Sequence, residues 1–293
     1  MKYQPLVSII IPTFNRADLL KLCLDGLISQ TYQNWEAVII DNYSIDVNEQ
    51  VVASYKDKRL RFYKNNNDGI IAVSRNKGIT LSTGEIICFL DSDDIWSPEK
   101  LEYVVSYLKE YDLIYHDMLI YYYNNGEIQY SKRLRGRTLK GDLFLDALMD
   151  GNPCINSSLV VKRSLIEQVG GISEERSLVG VEDFDYLLRM LPFAKVKFIP
   201  KVLGYYYVGQ SSVSNTEKQV HRMDVLYEKH LKNVHDEKLC EEIKSRLSYK
   251  QARIYQMHGN KSAAILKFKD ALRTKSLYYY LRAILFSLIT KLS

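Results

Sequence analysis

The sequence predicts an α/β protein with a mainly parallel central sheet, followed by a helical region at the C-terminal end. Three observations predict it. Over the first 110 residues, short β-branched runs alternate with helix-patterned segments at intervals of about 25 residues, the pattern of βαβ units. From Thr216 onward strand signals stop, and the apolar segments all have helical spacing. The composition, 46% hydrophobic and 26% charged over 293 residues, suits one sizeable α/β domain with an appendage and excludes disordered, collagen-like and coiled-coil classes. The boundary is expected near residue 215, giving an α/β domain over 1–215 and a helical region over 216–293.

Val7-Ser8-Ile9-Ile10-Ile11 reads as the first strand, stopped by Pro12, and Asn15 as the N-cap of a helix running to Gln30. Trp35–Ile40 is a second strand that ends on Asp41. A helix near Val47–Tyr55, a strand at Leu60–Tyr63 and a helix over Ile70–Ser82 follow. Glu85–Leu90 is a fourth, buried strand running into Asp91. Ser97-Pro98-Glu99 then opens a helix, with Ser97 as cap and Pro98 at its first position. Past residue 110 the alternation loosens. Leu113–Tyr123 and Ile128–Tyr130 flank Asn124-Asn125-Gly126, a hairpin turn. Further strands are expected at Leu159–Val161, Val196–Ile199 and Val202–Val208, and helices at Leu143–Asp150 and Glu182–Leu191.

In the tail, Arg222–Val234, Lys238–Met257, Ser262–Arg273 and Leu277–Leu292 have helical spacing. Ala252, Tyr255, Gly259, Ala264 and Phe268 have the small–large pattern of one helical hairpin. No second copy follows, so a bundle is expected rather than a repeat array. Formal charge is +5, but residues 216–293 hold 16 basic and 8 acidic groups, leaving the front of the chain acidic. A basic tail is a solvated helical face or a surface for an acidic partner such as anionic lipid. The last segment puts Leu277, Leu281, Ile284, Leu285, Leu288 and Leu292 on one face, with Arg282 and Lys291 near its ends. Either that face packs on the preceding helices or 276–293 also lies in a membrane interface. At 16 residues the segment is too short to span a bilayer.

Four scattered cysteines form no CxxC pair, and the five histidines show no metalloprotease spacing. Met1–Pro5 and the short apolar run after it lack the h-region of a secretory signal. A cytoplasmic setting is expected, peripheral to the inner face of the membrane if the tail makes contact.

The chemistry points to strand ends. Asp41, Asp91 and Asp93 follow buried strands whose C-terminal ends share one edge of a parallel sheet, the edge where ligands bind. Gathered carboxylates repel, and a hard divalent cation relieves that repulsion. Asp91-Ser92-Asp93-Asp94 therefore reads as a Mn²⁺ or Mg²⁺ site able to hold a diphosphate; the alternative is a solvated turn before a helix. Glu182-Asp183 is either a pair of first-turn acids complementing a helix dipole or a general base facing the crevice.

The chain resembles the inverting family 2 glycosyltransferases, which have the nucleotide-sugar-binding GT-A fold. The matching pieces come in the family's order: SIIIPTFNR at 8–16, SQTYQNWEAVIIDNYS at 29–44, AVSRNKGI at 72–79, GEIICFLDSDD at 84–94 and VEDFDYLLR at 181–189. The resemblance covers about residues 5–215. It implies a nucleotide-diphosphate sugar donor, with a UDP-sugar expected, and a glycan or lipid-linked saccharide acceptor in cell-surface polysaccharide synthesis. It implies that Pro12, Thr13 and Phe14 hold the nucleobase and that Asp41 accepts a hydrogen bond from the base edge. Arg75 would hold the nucleotide or its diphosphate, Asp91 would sit near the ribose, Asp93 would coordinate the metal, and Asp183 would act as the base. Two departures stand out. Asn42-Tyr43-Ser44 replaces the common Asp-Gly-Ser sequence, so a bulky Tyr43 is expected to narrow the crevice. The histidine that many members carry near the domain end is absent, and Gly209 lies at or near its place, before Ser211-Ser212-Val213-Ser214.

The loops 132–157 and 203–215 are the expected acceptor-facing segments. Lys132, Arg133, Arg135 and Arg137 either contact an anionic acceptor or form a solvated basic loop. A nucleotidyltransferase and a dinucleotide-dependent dehydrogenase are disfavoured because Ile11–Arg16 carries no glycine-rich phosphate loop. An inactive GT-A scaffold in a polysaccharide assembly complex stays open. Nucleic acid is not expected as a partner, since no reader motif accompanies the basic tail.

Overall fold

The computed structural model describes residues 3–209 and 216–292. Ser211-Ser212-Val213-Ser214 and the end of the 203–215 loop lie outside the described residues. In chain order the elements are β1 (Val7–Thr13), α1 (Ala17–Ile28), β2 (Trp35–Asp41), α2 (Asn48–Ser54), β3 (Leu60–Lys64), α3 (Ile71–Leu81), β4 (Ile86–Phe89), β5 (Ile95–Trp96) and α4 (Lys100–Val105). There follow β6 (Leu113–Asn124), β7 (Glu127–Leu134), α5 (Leu143–Asp150), β8 (Val160–Lys162), α6 (Arg163–Val169), α7 (Glu182–Met190) and β9 (Val196–Tyr207). The chain ends in α8 (Thr216–Leu231), α9 (Glu237–Met257), α10 (Lys261–Ala271) and α11 (Leu277–Leu292). It divides into two compact units, one of residues 1–143 and 152–212, the other of 144–151 and 213–293.

The first unit is an α/β fold on one sheet, ordered β3-β2-β1-β4-β8-β6-β9-β5 with β7 paired to β6. β1, β2, β3 and β4 are mutually parallel. β1 and β2 are buried along their whole length, as central strands covered on both faces must be. Past β4 the sheet becomes mixed. The short β8 inserts antiparallel between β4 and β6, and β9 then runs parallel to β6. Trp35, Leu24, Leu27, Trp96, Leu101 and Leu108 belong to one apolar core under this sheet.

Several local expectations are corrected. Asn15 does not cap α1: it sits at φ +49, and its side-chain oxygen accepts from Ile45 N–H at 2.9 Å. The Ala17 N–H at the start of the helix is instead taken by the Asp46 carboxylate at 2.9 Å. Ser97 does not cap α4, which begins at Lys100; its hydroxyl is buried without a partner, while its carbonyl accepts from Gln30 Nε2 at 2.8 Å. Just before it, Ile95-Trp96 forms an unforeseen strand against Tyr205 and Gly204 of β9. The two strands expected at 196–199 and 202–208 are one, with its register slipping around Pro200 and Lys201. The hairpin turn stands as expected: Asn125 (φ +51) and Gly126 (φ +85) both occupy the left-handed region that a tight β-turn of this kind requires.

The second unit is helical. Ala252, Ala264, Phe268, Ala271 and Ala283 form its core with Tyr249, so α9, α10 and α11 approach closely at small side chains. Asp236 caps α9 by accepting from Lys238 and Leu239 N–H, and Asn260 caps α10 by accepting from Ala263 N–H. α5 joins this unit because the Asp150 carboxylate accepts from Arg246 (2.7 Å) and Tyr279 (3.1 Å), and Lys250 donates to the Met149 carbonyl (2.7 Å). The leucine face of α11 does not pack on the preceding helices. Tyr279, Ala283, Phe286 and Thr290 turn inward instead, and Leu277, Leu281, Leu285, Leu288 and Leu292 stay exposed.

Candidate active site

The parallel strands β1, β2 and β4 deliver Thr13, Asp41 and Asp91 to one edge of the sheet. A cavity of about 320 Å³ opens there. Pro12, Thr13, Phe14, Arg16, Asp91, Asp93, Tyr206 and Tyr207 are among the residues that line it. A larger hollow of about 740 Å³ lies at the opposite edge, where Gln4 and Asn34 precede their strands. The strand C-terminal ends, not that hollow, carry the gathered carboxylates.

Not every expected residue reaches the cavity. Asp41 is buried and fully engaged: it accepts from Ser44 N (2.8 Å), Ser44 Oγ (2.5 Å) and Asn48 Nδ2 (3.0 Å), shaping the turn after β2. Tyr43 does not narrow the crevice. It takes φ +54, a conformation easy for the glycine common at this place in the family, and its ring points into solvent at 60% exposure. Arg133 is not a free loop cation: its guanidinium pairs with the buried Asp117 and donates to the Pro200 carbonyl.

Arg75 sits behind the cavity and not in its wall. From α3 it donates Nη2 to Asp91 Oδ1 at 2.8 Å and Nη1 to Glu182 Oε1 at 2.7 Å, with only 4% of its side chain exposed. Burial opposes its charge, but Asp91 and Glu182 outweigh burial and hold the guanidinium firmly protonated. The acidic turn at the end of β4 is thus bound to the first turn of α7.

That turn is crowded with negative charge. Asp93 pairs with Arg16, yet burial first, and Asp91 after it, keeps its carboxyl above the usual range. Asp94 is pushed well up by burial, then by Asp93 and Asp91, and its Oδ2 has no hydrogen-bond partner. Among the described residues no three His, Cys, Asp or Glu side chains form a closed cage for a metal. An open site is what a small hard cation needs when a diphosphate and water supply most of its oxygens. Asp93, with Asp91 and the unpartnered Oδ2 of Asp94 close by in sequence, fits such a cation once it exchanges Arg16 for the metal.

Asp183 occupies the first turn of α7. Its Oδ1 accepts from Phe184 N–H at 2.8 Å, and its Oδ2 from Asn152 Nδ2 at 3.4 Å. Burial, and next the adjacent Glu182, push this carboxyl up to about 6, with Arg75 pulling the other way. Tyr206, on the cavity wall, is raised to about 12 by burial and by Asp94, Asp91, Asp93 and Asp183, so it lies in the field of both acidic groups.

The sequence profile described as Glycosyl transferase family 2 matches residues 8–170, more than half of the chain. The chain belongs to glycosyltransferase family 2. Among sequence relatives of this family 2 glycosyltransferase is WcaA of Escherichia coli, assigned to colanic acid biosynthesis. It is 29% identical over 248 residues, covering 78% of this chain and 83% of WcaA. S. aureus TarS residues 1–349, solved with UDP-GlcNAc, superposes at a TM-score of 0.64 with 18% identity, covering 97% of this chain and 88% of that one. This chain spans 53% of the longer TarS structure. The Pyrobaculum calidifontis mannosyltransferase PcManGT, in complex with GDP-Man and Mn²⁺, also gives 0.64, with 17% identity and coverage of 99% and 81%. The GT-A architecture expected from the motifs is therefore present.

Sequence reasoning missed Ser157, Glu182, Arg16 and the two tyrosines as site residues. Ser157 Oγ accepts from Asp91 N–H (3.0 Å), and its carbonyl accepts from Trp96 Nε1 (2.8 Å) and Lys100 Nζ (2.9 Å). Nothing in Asn156-Ser157-Ser158 announces this, because the contacts cross 57 to 66 residues. Glu182 was legible only as the neighbour of Asp183.

Proposed function

We propose that the protein is an inverting glycosyltransferase that moves a sugar from a UDP-linked donor to a hydroxyl of a glycan or lipid-linked saccharide, in cell-surface polysaccharide synthesis on the cytoplasmic side. One observation carries the reading: Arg75 ties Asp91, in the cavity lining, to the helix turn bearing Asp183, whose carboxyl burial and Glu182 push up to about 6. A carboxylate tuned this way is charged at pH 7 yet basic enough to accept a proton, which an acceptor hydroxyl requires.

The nucleoside lies against Pro12, Thr13 and Phe14, and the diphosphate over Asp91 and Asp93 beside Arg16. Asp41 supports the base-binding turn from beneath through Ser44 and Asn48. Asp93 would hold Mn²⁺ or Mg²⁺, which would supply positive charge to offset that of the departing diphosphate. Asp183 takes the acceptor proton as the acceptor oxygen attacks the anomeric carbon from the face opposite the diphosphate, which inverts the configuration. Arg75 fixes Asp91 and, through Glu182, the approach of Asp183. Names borne by relatives support a nucleotide-sugar donor and a metal: colanic acid biosynthesis for WcaA, UDP-GlcNAc bound to TarS, and GDP-Man with Mn²⁺ bound to PcManGT.

The test is a panel of UDP- and GDP-sugars incubated with the purified chain, with and without Mn²⁺, reading release of the nucleoside diphosphate. Mn²⁺-stimulated release from one donor is expected. Nucleotide binding without release from any donor, with or without saccharide acceptors, would favour the inactive-scaffold reading.

A further inference from the structure

The outward face of α11 has no partner within its own unit. Successive residues on an α-helix turn by 100°, so Tyr279, Ala283, Phe286 and Thr290 form one stripe, and Leu277, Leu281, Leu285, Leu288 and Leu292 form another on the opposite side. The first stripe is packed against α9 and α10. The second is open to solvent, with Leu281, Leu285 and Leu288 each between 52% and 55% exposed and Leu292 at 88%. Five leucines in line are far more apolar surface than a solvated helix face carries by chance.

The charge around this stripe selects its occupant. Residues 253–293 contain eight Lys and Arg against a single acid, Asp270. Arg282, on the flank of the leucine stripe, is held by the Tyr249 and Tyr278 hydroxyls and forms no ion pair among the described residues. Lys291 sits in the last turn of α11, and Tyr278 and Tyr280 flank the leucines at its start, both exposed. A leucine stripe bordered by tyrosines and unneutralised bases matches a surface that is apolar inside and anionic outside. We infer that α11 is a membrane-interface helix, lying flat on an anionic bilayer with its leucines among the acyl chains and the surrounding bases on the lipid headgroups. No described helix is long and apolar enough to cross a membrane, so this contact is peripheral and reversible. It keeps the covalently attached first unit at the surface where a lipid-linked saccharide resides.

The test uses the full chain and sedimentation with phosphatidylcholine vesicles that contain either no phosphatidylglycerol or about 30 mol % of it. Binding is expected only to the anionic vesicles, and is lost when salt rises from about 50 mM to about 500 mM. The triple variant Leu281→Gln/Leu285→Gln/Leu288→Gln alters exposed positions only, and should keep wild-type circular dichroism while its partitioning falls by about 100-fold. Failure of the unaltered chain to sediment with anionic vesicles at low salt overturns the inference whatever the variant does. So does equal binding to both vesicle types, or lipid-free dimerisation that the triple variant abolishes, which would make a second copy the occupant. None of these readouts measures turnover, so the outcome is independent of the transferase reading.

Discussion

Replacing Asp183 by asparagine separates the catalytic role proposed for this side chain from what its charge costs the fold. An ordinary aspartate titrates near 3.8, whereas Asp183 is held at about 6 by burial and by Glu182. At about 1.4 kcal/mol for each pH unit, keeping this group ionised in the folded chain costs about 3 kcal/mol, an upper figure because water reaches part of the side chain. The sign follows from which state binds the proton. Between pH 4 and pH 6 the unfolded chain has already released it while the folded chain retains it, so stability falls as pH rises through that window and stays lower above it. A carboxamide at this position cannot ionise, and its oxygen can still accept from Phe184 N–H. Asp183→Asn should therefore lower turnover by about 10²–10⁴-fold. It should also raise stability at pH 7.5 by up to about 3 kcal/mol, with no gain at pH 4. Urea unfolding at the two pH values, alongside nucleoside diphosphate release, reads both effects. Wild-type turnover would remove Asp183 from the role of base. A stability change equal at both pH values would refute the electrostatic account.

The pH dependence of kcat/KM should rise about tenfold between pH 5 and pH 7, and Glu182→Gln should move that limb to lower pH by removing the charge that raises Asp183. A profile flat above pH 5 contradicts this. Asp93→Ala should abolish the Mn²⁺-dependent tightening of UDP binding, read by titration calorimetry with and without the metal; an unchanged dependence puts the cation elsewhere. Arg75→Met strands the buried Glu182 and leaves the cavity-lining Asp91 unpaired, and should cost about 3 kcal/mol in urea unfolding, while raising the acid limb of any residual activity.

Much of this was legible because the signals are local. The buried runs before Asp41 and Asp91 fix β2 and β4, and the bounds of α5 and α11 coincide with those read from spacing alone. The misses share one physical cause: a distant group satisfies a local need. α1 starts on a carboxylate from residue 46, so Asn15 is released to clasp the loop at Ile45. β5 exists only because β9 offers it a partner. Arg133 reads as a loop cation until Asp117, hidden in β6, claims it. The amphipathic pattern of α11 identified the leucine face but not which way it turns, since alanine and tyrosine suit a tight helical interface better. At the site, the carboxylates were found because strand ends converge by topology. Their fastening by Ser157 and Arg75 was hidden in tertiary contacts.

The fastening by Ser157 bears on how the molecule acquires its site. The four parallel strands come from neighbouring stretches of chain and can assemble as soon as residues 7–89 are available. The acidic loop behind them is completed by a segment more than 55 residues further on, which sets β8 beside β4 and presents one serine to Asp91, Trp96 and Lys100 together. The nucleotide half is therefore not a module that can be cut out and reused. In a chain cut after β6, Arg16 and Arg75 could still reach Asp93 and Asp91, but Asp91 N–H, Trp96 and Lys100 would lose the serine that joins them.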